Sequence, residues 1–162
     1  MAAVSCSAEP PQVAGPRVAP CSLFDAAHLR AALTDRSAAG WYVTEERAPT
    51  ADGDGSVYQC VYRRKTDQAE AGTLTVTRFR EQQTPAGAVQ RTVTRCAATE
   101  VHPLPEAGDA AVYCDDSDTV RIATAKNAEN GTLLAELMLT NAAAGHNVRM
   151  YPAVAKLLTG KL

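Results

Sequence analysis

The sequence predicts an α+β domain. A curved antiparallel sheet of about six or seven strands carries two or three helices and is stapled by two disulfides. Three observations lead to this prediction. The chain has 162 residues, the length of one ordinary domain. Short β-branched and aromatic segments alternate with turn residues, and stretches with helical spacing precede and close these runs. Four of the five cysteines lie within this patterned region.

The composition is that of a folded domain. Hydrophobic residues make up 46% of the chain and charged residues 21%, which argues against wholesale disorder. The net charge of −2 argues against a dedicated nucleic-acid binder, which usually carries a strong positive excess. No run approaches eighteen apolar residues, so the sequence predicts no membrane span.

Residues 1–20 differ in composition from the rest of the chain. They are rich in proline, alanine and valine, and the prolines at 10, 11, 16 and 20 would stop a helix. Such a segment is typical of a flexible or polyproline-like tether. The sequence therefore divides into a tether at 1–20 and a single α+β domain at 21–162.

Cys6 lies within the tether in a context of its own. Val4-Ser5-Cys6-Ser7 is similar to the end of a bacterial lipoprotein signal, although Ala3 replaces the usual leucine. The charged and long apolar parts of an export signal are absent, so we expect the sequence to start near the mature N-terminus, with Met1 added. Cys6 would then carry the lipid and 7–20 would be the spacer; lipidated with diacyl and N-acyl chains, it would anchor stably. The alternative is a stray cysteine in a disordered tail.

The first half of the domain reads as one helix followed by a meander. The predicted elements are a helix at 23–34 and strands at 41–44, 57–62 and 73–80. Ser22 or Asp25 could cap the helix. The glycine-rich segment 51–55 is a strong turn signal between the first two strands. Along the third strand, Leu74, Val76 and Arg78 point one way, whereas Thr75, Thr77 and Phe79 point the other.

The second half repeats this order. The predicted elements are a helix at 85–97, strands at 99–102, 108–114, 119–124 and 132–140, and a closing helix at 148–158. Thr84-Pro85 is typical of an N-cap followed by proline at the first helical position. Asn130-Gly131 is the strongest hairpin signal in the chain. The segment 132–140 could equally be helical.

A weak internal echo bears on the cysteines. Val57-Tyr58-Gln59-Cys60 is similar to Val112-Tyr113-Cys114, and each lies in a strand with a helix and another cysteine before it. The echo suggests pairing Cys21 with Cys60 and Cys96 with Cys114, although four cysteines allow three connectivities. These bonds would close loops of about 40 and about 19 residues and contribute roughly 4 and 3 kcal/mol. Disulfides indicate export to an oxidising compartment; the alternative is a cytosolic protein with five free thiols.

Three short motifs carry a resemblance to a known family. They are Pro20-Cys21-Ser22-Leu23-Phe24, Tyr58-Gln59-Cys60-Val61-Tyr62 and Gly108-Asp109-Ala110-Ala111-Val112-Tyr113. With the tether, they make the chain resemble actinobacterial cell-envelope lipoproteins whose domain has no assigned function. The fold is similar to that of the extracellular sensor domains of mycobacterial serine/threonine kinases. The resemblance covers most of 20–160 and implies no catalytic residues; the pair Cys96 and Cys114 is not part of its pattern.

No catalytic or metal-binding pattern is evident. The chain has no nucleophile elbow, phosphate loop, dinucleotide fingerprint or zinc-ligand spacing, so we expect no enzyme, no cofactor and no metal. The three histidines (His28, His102 and His146) read as exposed polar residues. The acidic cluster Asp115, Asp116 and Asp118 reads as a solvated turn. A local basic excess could meet anionic envelope polymers or simply be a polar strand face; it comprises Arg63, Arg64, Lys65, Arg78, Arg80, Arg91 and Arg95.

The function these observations favour is that of an exported, lipid-anchored module on the extracellular face of the cell membrane. It would bind a small ligand or an envelope protein without catalysing a reaction, and we expect it to be a monomer that does not bind nucleic acid. The alternative is a regulator or inhibitor of an envelope partner such as a sensor kinase, hydrolase or toxin. A third hypothesis, an enzyme using a carboxylate or His28, has less support.

Overall fold

A computed structural model describes residues 17–32, 42–81, 83–96, 100–108, 110–116, 118–140 and 148–162. Cys6, most of the tether, Trp41 and His146 lie outside the described residues. The helices are α1 (Pro20–Leu23), α2 (Ala26–Ala32), α3 (Pro85–Arg95) and α4 (Tyr151–Lys161), with a 3-10 turn at Val148–Met150 before α4. The strands are β1 (Tyr42–Glu46), β2 (Thr50–Asp52), β3 (Gly55–Arg64), β4 (Glu70–Phe79), β5 (Val101–Pro103), β6 (Ala110–Asp115), β7 (Thr119–Ala128) and β8 (Gly131–Thr140).

The strands form one antiparallel sheet in the order β1-β3-β4-β8-β7-β6-β5, and β2 also pairs with β3. β1 and β2 lie end to end along the same edge of β3, because Glu46 faces Cys60 and Thr50 faces Val57. The described part of the sheet thus has eight strands, where the sequence predicted six or seven. The α+β class, the antiparallel sheet and its helices are confirmed.

Helices cover both faces of this sheet. Leu74, Ile122 and Leu137 belong to an apolar cluster that includes residues of α4. Phe79, Ala123 and Leu134 belong to a second cluster, with residues of α3. Because successive strand residues point to opposite faces, α3 and α4 lie on opposite sides. We call these sides the α3 face and the α4 face.

The helix predicted at 23–34 is divided in two, so its predicted start is wrong. Phe24 interrupts it with an extended backbone (φ −139°, ψ 90°) and is fully buried. The carbonyl of Phe24 accepts a hydrogen bond from the Tyr62 hydroxyl instead of continuing a helix. Asp25 then caps α2, since its Oδ1 accepts from the backbone N–H of His28 at 2.9 Å. Asp25, one of the two predicted caps, is therefore confirmed as a cap. The helix it caps, α2, begins three residues after the predicted start.

The two clearest local signals produce the expected structures. Thr84 caps α3, accepting a hydrogen bond from the N–H of Gly87 at 3.1 Å, and Pro85 is the first helical residue. The hairpin predicted at Asn130-Gly131 is present between β7 and β8, but its turn lies one residue earlier: Ala128 pairs with Gly131, so Glu129 and Asn130 form the turn. Gly131 has φ +116°, and a Cβ there would lie 2.7 Å from the Phe79 carbonyl oxygen.

The alternative that 132–140 is helical is wrong. The segment is strand β8, which pairs with β4 on one side and β7 on the other. Its side chains alternate between two covered faces, with Leu137 toward α4 and Leu134 toward α3. Burial on both faces explains why its sequence shows a continuous apolar run rather than a clean alternation.

Candidate functional site

The four cysteines predicted to form disulfides do so with the suggested pairing. Cys21 is bonded to Cys60 with a Cα–Cα distance of 5.0 Å, and Cys96 to Cys114 with 6.1 Å. Cys60 faces Leu74 in the neighbouring strand and lies on the α4 face. Cys114 faces Arg121, whose row of the sheet lies on the α3 face. Each bond thus joins a helix to a different side of the sheet.

One polar cluster lies on the α3 face, which we call the Glu136 cluster: Glu136, Thr92, Arg95 and Arg121. Glu136 is 6% exposed and is the only charged side chain among the buried residues that the structure describes. Thr92 Oγ1 donates to Glu136 Oε2 at 2.6 Å. Arg95 Nη1 lies 3.2 and 3.3 Å from the two carboxylate oxygens, and Arg121 Nη1 lies 3.3 Å from Oε1. Both oxygens are thereby satisfied by charged and neutral donors.

Three elements position this cluster. Glu136 lies in the middle of β8, opposite Ala123 of β7. Arg121 lies two residues before Ala123 and therefore points to the same face. Thr92 and Arg95 lie three residues apart in the last turn of α3, so their side chains are neighbours on one face of the helix. The Cys96–Cys114 disulfide adjoins both arginines, since Cys96 follows Arg95 and Cys114 pairs with Arg121.

The cluster carries more positive than negative charge. Two guanidinium groups meet one carboxylate, and the side chains of Arg95 and Arg121 are 56% and 23% exposed. Arg121 also helps to lower the pKa of the exposed Asp116, although the backbone N–H groups of Thr119 and Asp118 are the larger causes. No other ion pair of Arg95 occurs within the described ranges.

Neutral hydrogen-bonding groups continue the row of the sheet beside Glu136. Thr75 of β4 faces Glu136 directly, and Gln59 of β3 faces Thr75. The Gln59 amide donates to Thr75 Oγ1 at 3.3 Å. Both side chains are half-buried. The row Gln59–Thr75–Glu136 is therefore a polar strip that ends at the two arginines.

The acidic turn is organised by its own backbone. Asp116 Oδ1 accepts from the N–H groups of Asp118 and Thr119 at 2.8 and 2.6 Å. These hydrogen bonds favour the charged form and lower the pKa of Asp116. Within the described residues, no group of three or more His, Cys, Asp or Glu side chains is arranged to hold a metal ion.

The basic residues at 63–95 do not form one surface. Arg63 and Arg64 lie at the β3–β4 hairpin. Arg63 pairs with Glu45 at 3.5 Å, and Arg64 pairs with Asp67 at 2.7 Å. Arg91 pairs with Asp54 at the opposite end of β3. A ten-residue strand spans about 33 Å, so these groups are well separated. Of this set, only Arg95 belongs to the Glu136 cluster.

A second group of interest is aromatic and lies on the α4 face. His102 of β5 stacks on Tyr113 of β6 with 4.7 Å between ring centroids, and Tyr113 contacts Tyr151 at 4.9 Å. His102 is thus half-buried in a ring stack, whereas the sequence predicted an exposed residue. Burial raises the pKa of Tyr151 to about 12, and its hydroxyl has no hydrogen-bond partner among the described residues.

Sequence reasoning missed Glu136, Thr92 and Arg121. A usable signal is present, because Glu136 is the lone charge in the apolar segment 133–139. A carboxylate in a strand buried on both faces requires a cationic or hydrogen-bonding partner. The identity of that partner is not readable, since Thr92 lies 44 positions away in the chain.

No helix among the described residues is long and apolar enough to cross a membrane. Comparison with known proteins gave no match to any family model, curated protein or solved structure.

Proposed function

We propose that this protein is an exported lipoprotein that is tethered to the membrane by Cys6 and acts as a non-catalytic binding or accessory module at the cell envelope. The observation that carries the proposal is the pair of disulfides, one on each face of the sheet. Stable disulfides are typical of proteins that fold and work in oxidising compartments. The two bonds fit a secreted or extracellular protein.

The lipid anchor is supported by the sequence around Cys6 and by the proline-rich spacer that follows it. It is tested on protein isolated from the cells that make it. Trypsin cleaves after Arg17, and the mass of the segment that ends there shows whether Cys6 carries acyl chains. An acylated Cys6 supports the anchor, whereas an unmodified thiol overturns it and leaves a secreted protein. The disulfide-bonded peptide containing Cys21 is the internal control.

A binding role is favoured over catalysis by the chemistry of the Glu136 cluster. A general base needs a carboxylate that can accept a proton from a substrate. The Glu136 carboxylate already accepts hydrogen bonds from Thr92, Arg95 and Arg121. The partly exposed arginine side chains and the polar strip beside them can instead contact a ligand without reacting with it.

The binding role is tested by mapping contacts on the oxidised, isotopically labelled chain. Envelope extract from the native cells is separated into protein, lipid and polysaccharide fractions, and each is titrated while backbone amide resonances are recorded. We expect one fraction to give saturable shifts in β7, β8 and the end of α3. If no fraction shifts any amide, the proposal fails. A stoichiometric complex with one component of the protein fraction would favour the regulator or inhibitor alternative.

A further inference from the structure

Arg95 of the Glu136 cluster has N–H donors that form no hydrogen bond with any described residue. A guanidinium has five N–H donors in a planar fork, and Glu136 contacts only Nη1 of each arginine. The remaining edge of Arg95, formed by Nε and Nη2, makes no hydrogen bond within the described part of the chain. The Arg95 side chain is 56% exposed, so water or a ligand can reach the side chain.

The buried carboxylate holds the arginine in one orientation. Arg95 Nη1 is shared between both Glu136 oxygens, and Thr92 fixes the carboxylate from within the same helix. Burying a carboxylate with its counterions is often no more stabilising than apolar packing. Stability alone therefore does not explain a carboxylate at this buried position, whereas the positioning of a guanidinium does.

Resting on the proposed binding function, we infer that Arg95, supported by Arg121, is a subsite for an oxyanion, either a carboxylate or a phosphate group of the ligand. The Nε–Nη2 edge of Arg95 matches the two oxygens of such a group in a bidentate hydrogen-bonded pair. Glu136 is the positioning residue. The neighbouring strip of Thr75 and Gln59 supplies neutral hydrogen-bonding groups for the rest of the ligand.

The test uses the full oxidised chain and simple probes. Inorganic phosphate and acetate are titrated at constant ionic strength while the arginine side-chain N–H resonances are followed, and phosphatidylglycerol and phosphatidylcholine vesicles form a separate arm. We expect saturable shifts of the Arg95 resonance, and at least a tenfold weaker affinity in Arg95→Gln. Arg64→Gln is the matched control, because Arg64 is similarly exposed and paired with Asp67; it should bind as the parent does.

Glu136→Gln separates positioning from general electrostatics. This change makes the cluster more positive, so a simple charge effect predicts tighter anion binding. The inferred positioning role predicts weaker binding, because the guanidinium loses its orientation. Tighter binding in Glu136→Gln overturns that role. If this variant does not fold, Arg95→Gln still decides the proposal, since Arg95 is largely exposed.

The outcomes also separate this inference from the proposed function. Binding of free phosphate or acetate that depends on Arg95 supports the subsite. Binding that occurs only on phosphatidylglycerol vesicles and depends on Arg95 identifies the source as a lipid headgroup. No Arg95-dependent binding in any arm overturns the inference, while saturable shifts with an envelope fraction would leave the binding function standing.

Discussion

Each of the two disulfides fixes a helical segment to the sheet, but the two segments and their surroundings differ. Cys21 lies in α1, a helix of four residues, and is bonded to Cys60 on the α4 face. Cys96 ends α3, a helix of eleven residues with its own cap, and is bonded to Cys114 on the α3 face. A four-residue helix cannot hold itself together in water. The first bond therefore holds a segment that has little structure alone, whereas the second fixes the end of an established helix.

The contacts around the two bonds differ in kind. The α1 region packs Phe24 edge-on against Tyr62, and their hydrogen bond is buried and neutral. The α3 region places an ionic group, Arg95 with Glu136, beside its bond. The first disulfide therefore supports the core, whereas the second positions a charged side chain near solvent. Tyr58 and Tyr113 both lie on the α4 face. Cys60 comes two residues after Tyr58 and points to the same face, whereas Cys114 directly follows Tyr113 and points to the opposite face.

The largest expected effect is the loss of either disulfide. Cys21→Ala/Cys60→Ala should lower the free energy of unfolding by about 4 kcal/mol and Cys96→Ala/Cys114→Ala by about 3 kcal/mol, because the first bond closes the longer loop. Urea denaturation of each variant measures both values. A larger loss for the second pair would contradict the loop-entropy ranking and indicate that the ionic region depends more strongly on its bond.

The next effect concerns the ionic side of the comparison. Glu136→Gln should lower the free energy of unfolding by about 2 kcal/mol, since a buried site loses its charge-assisted hydrogen bonds while two arginines remain. Solvent screening of the exposed Arg95 keeps the loss below that of a fully buried pair. Thermal and urea unfolding check the value. A stability equal to the parent would mean that the cluster adds nothing to the fold.

The neutral side of the comparison is tested by removing one hydroxyl. Tyr62→Phe should cost about 1–2 kcal/mol, because the buried Phe24 carbonyl loses its donor. Tyr58→Phe is the matched control, since the Tyr58 hydroxyl is buried and has no hydrogen-bond partner among the residues described, so its removal should be neutral or stabilising. Equal losses in both variants, measured by urea denaturation, would show that the Tyr62 hydrogen bond is not what holds α1.

The smallest effect depends on pH. Burial disfavours the phenolate and raises the folded-state pKa of Tyr151 to about 12, above the ordinary tyrosine value of about 10. Its contribution to stability is complete below pH 10 and is lost as the pH rises from 10 toward 12. At pH 11 the stability lost through Tyr151 is about 1 kcal/mol. Tyr151→Phe should remove this part of the alkaline decline; an unchanged decline would assign it to other groups.

The sequence predicted those features that depend on neighbouring residues. Thr84-Pro85 marks the start of α3, and Asn130-Gly131 marks a hairpin, because capping and backbone geometry act locally. The disulfide pairing could be suggested from the echo of two strand motifs. The break at Phe24 could not be predicted, since it depends on Tyr62, 38 positions away. The Glu136 cluster was missed for the same reason, as its members meet only after the sheet and α3 have formed.

The edge strands of the sheet disfavour strand pairing between copies of the chain. Along one rim, Pro49 interrupts the segment between β1 and β2, and Glu45 and Glu46 are exposed just before it. The opposite rim is the three-residue β5, which ends at Pro103. Short, charged or proline-broken rims are poor templates for another molecule's backbone. Copies of the chain at high local concentration would therefore resist pairing edge to edge into a shared sheet.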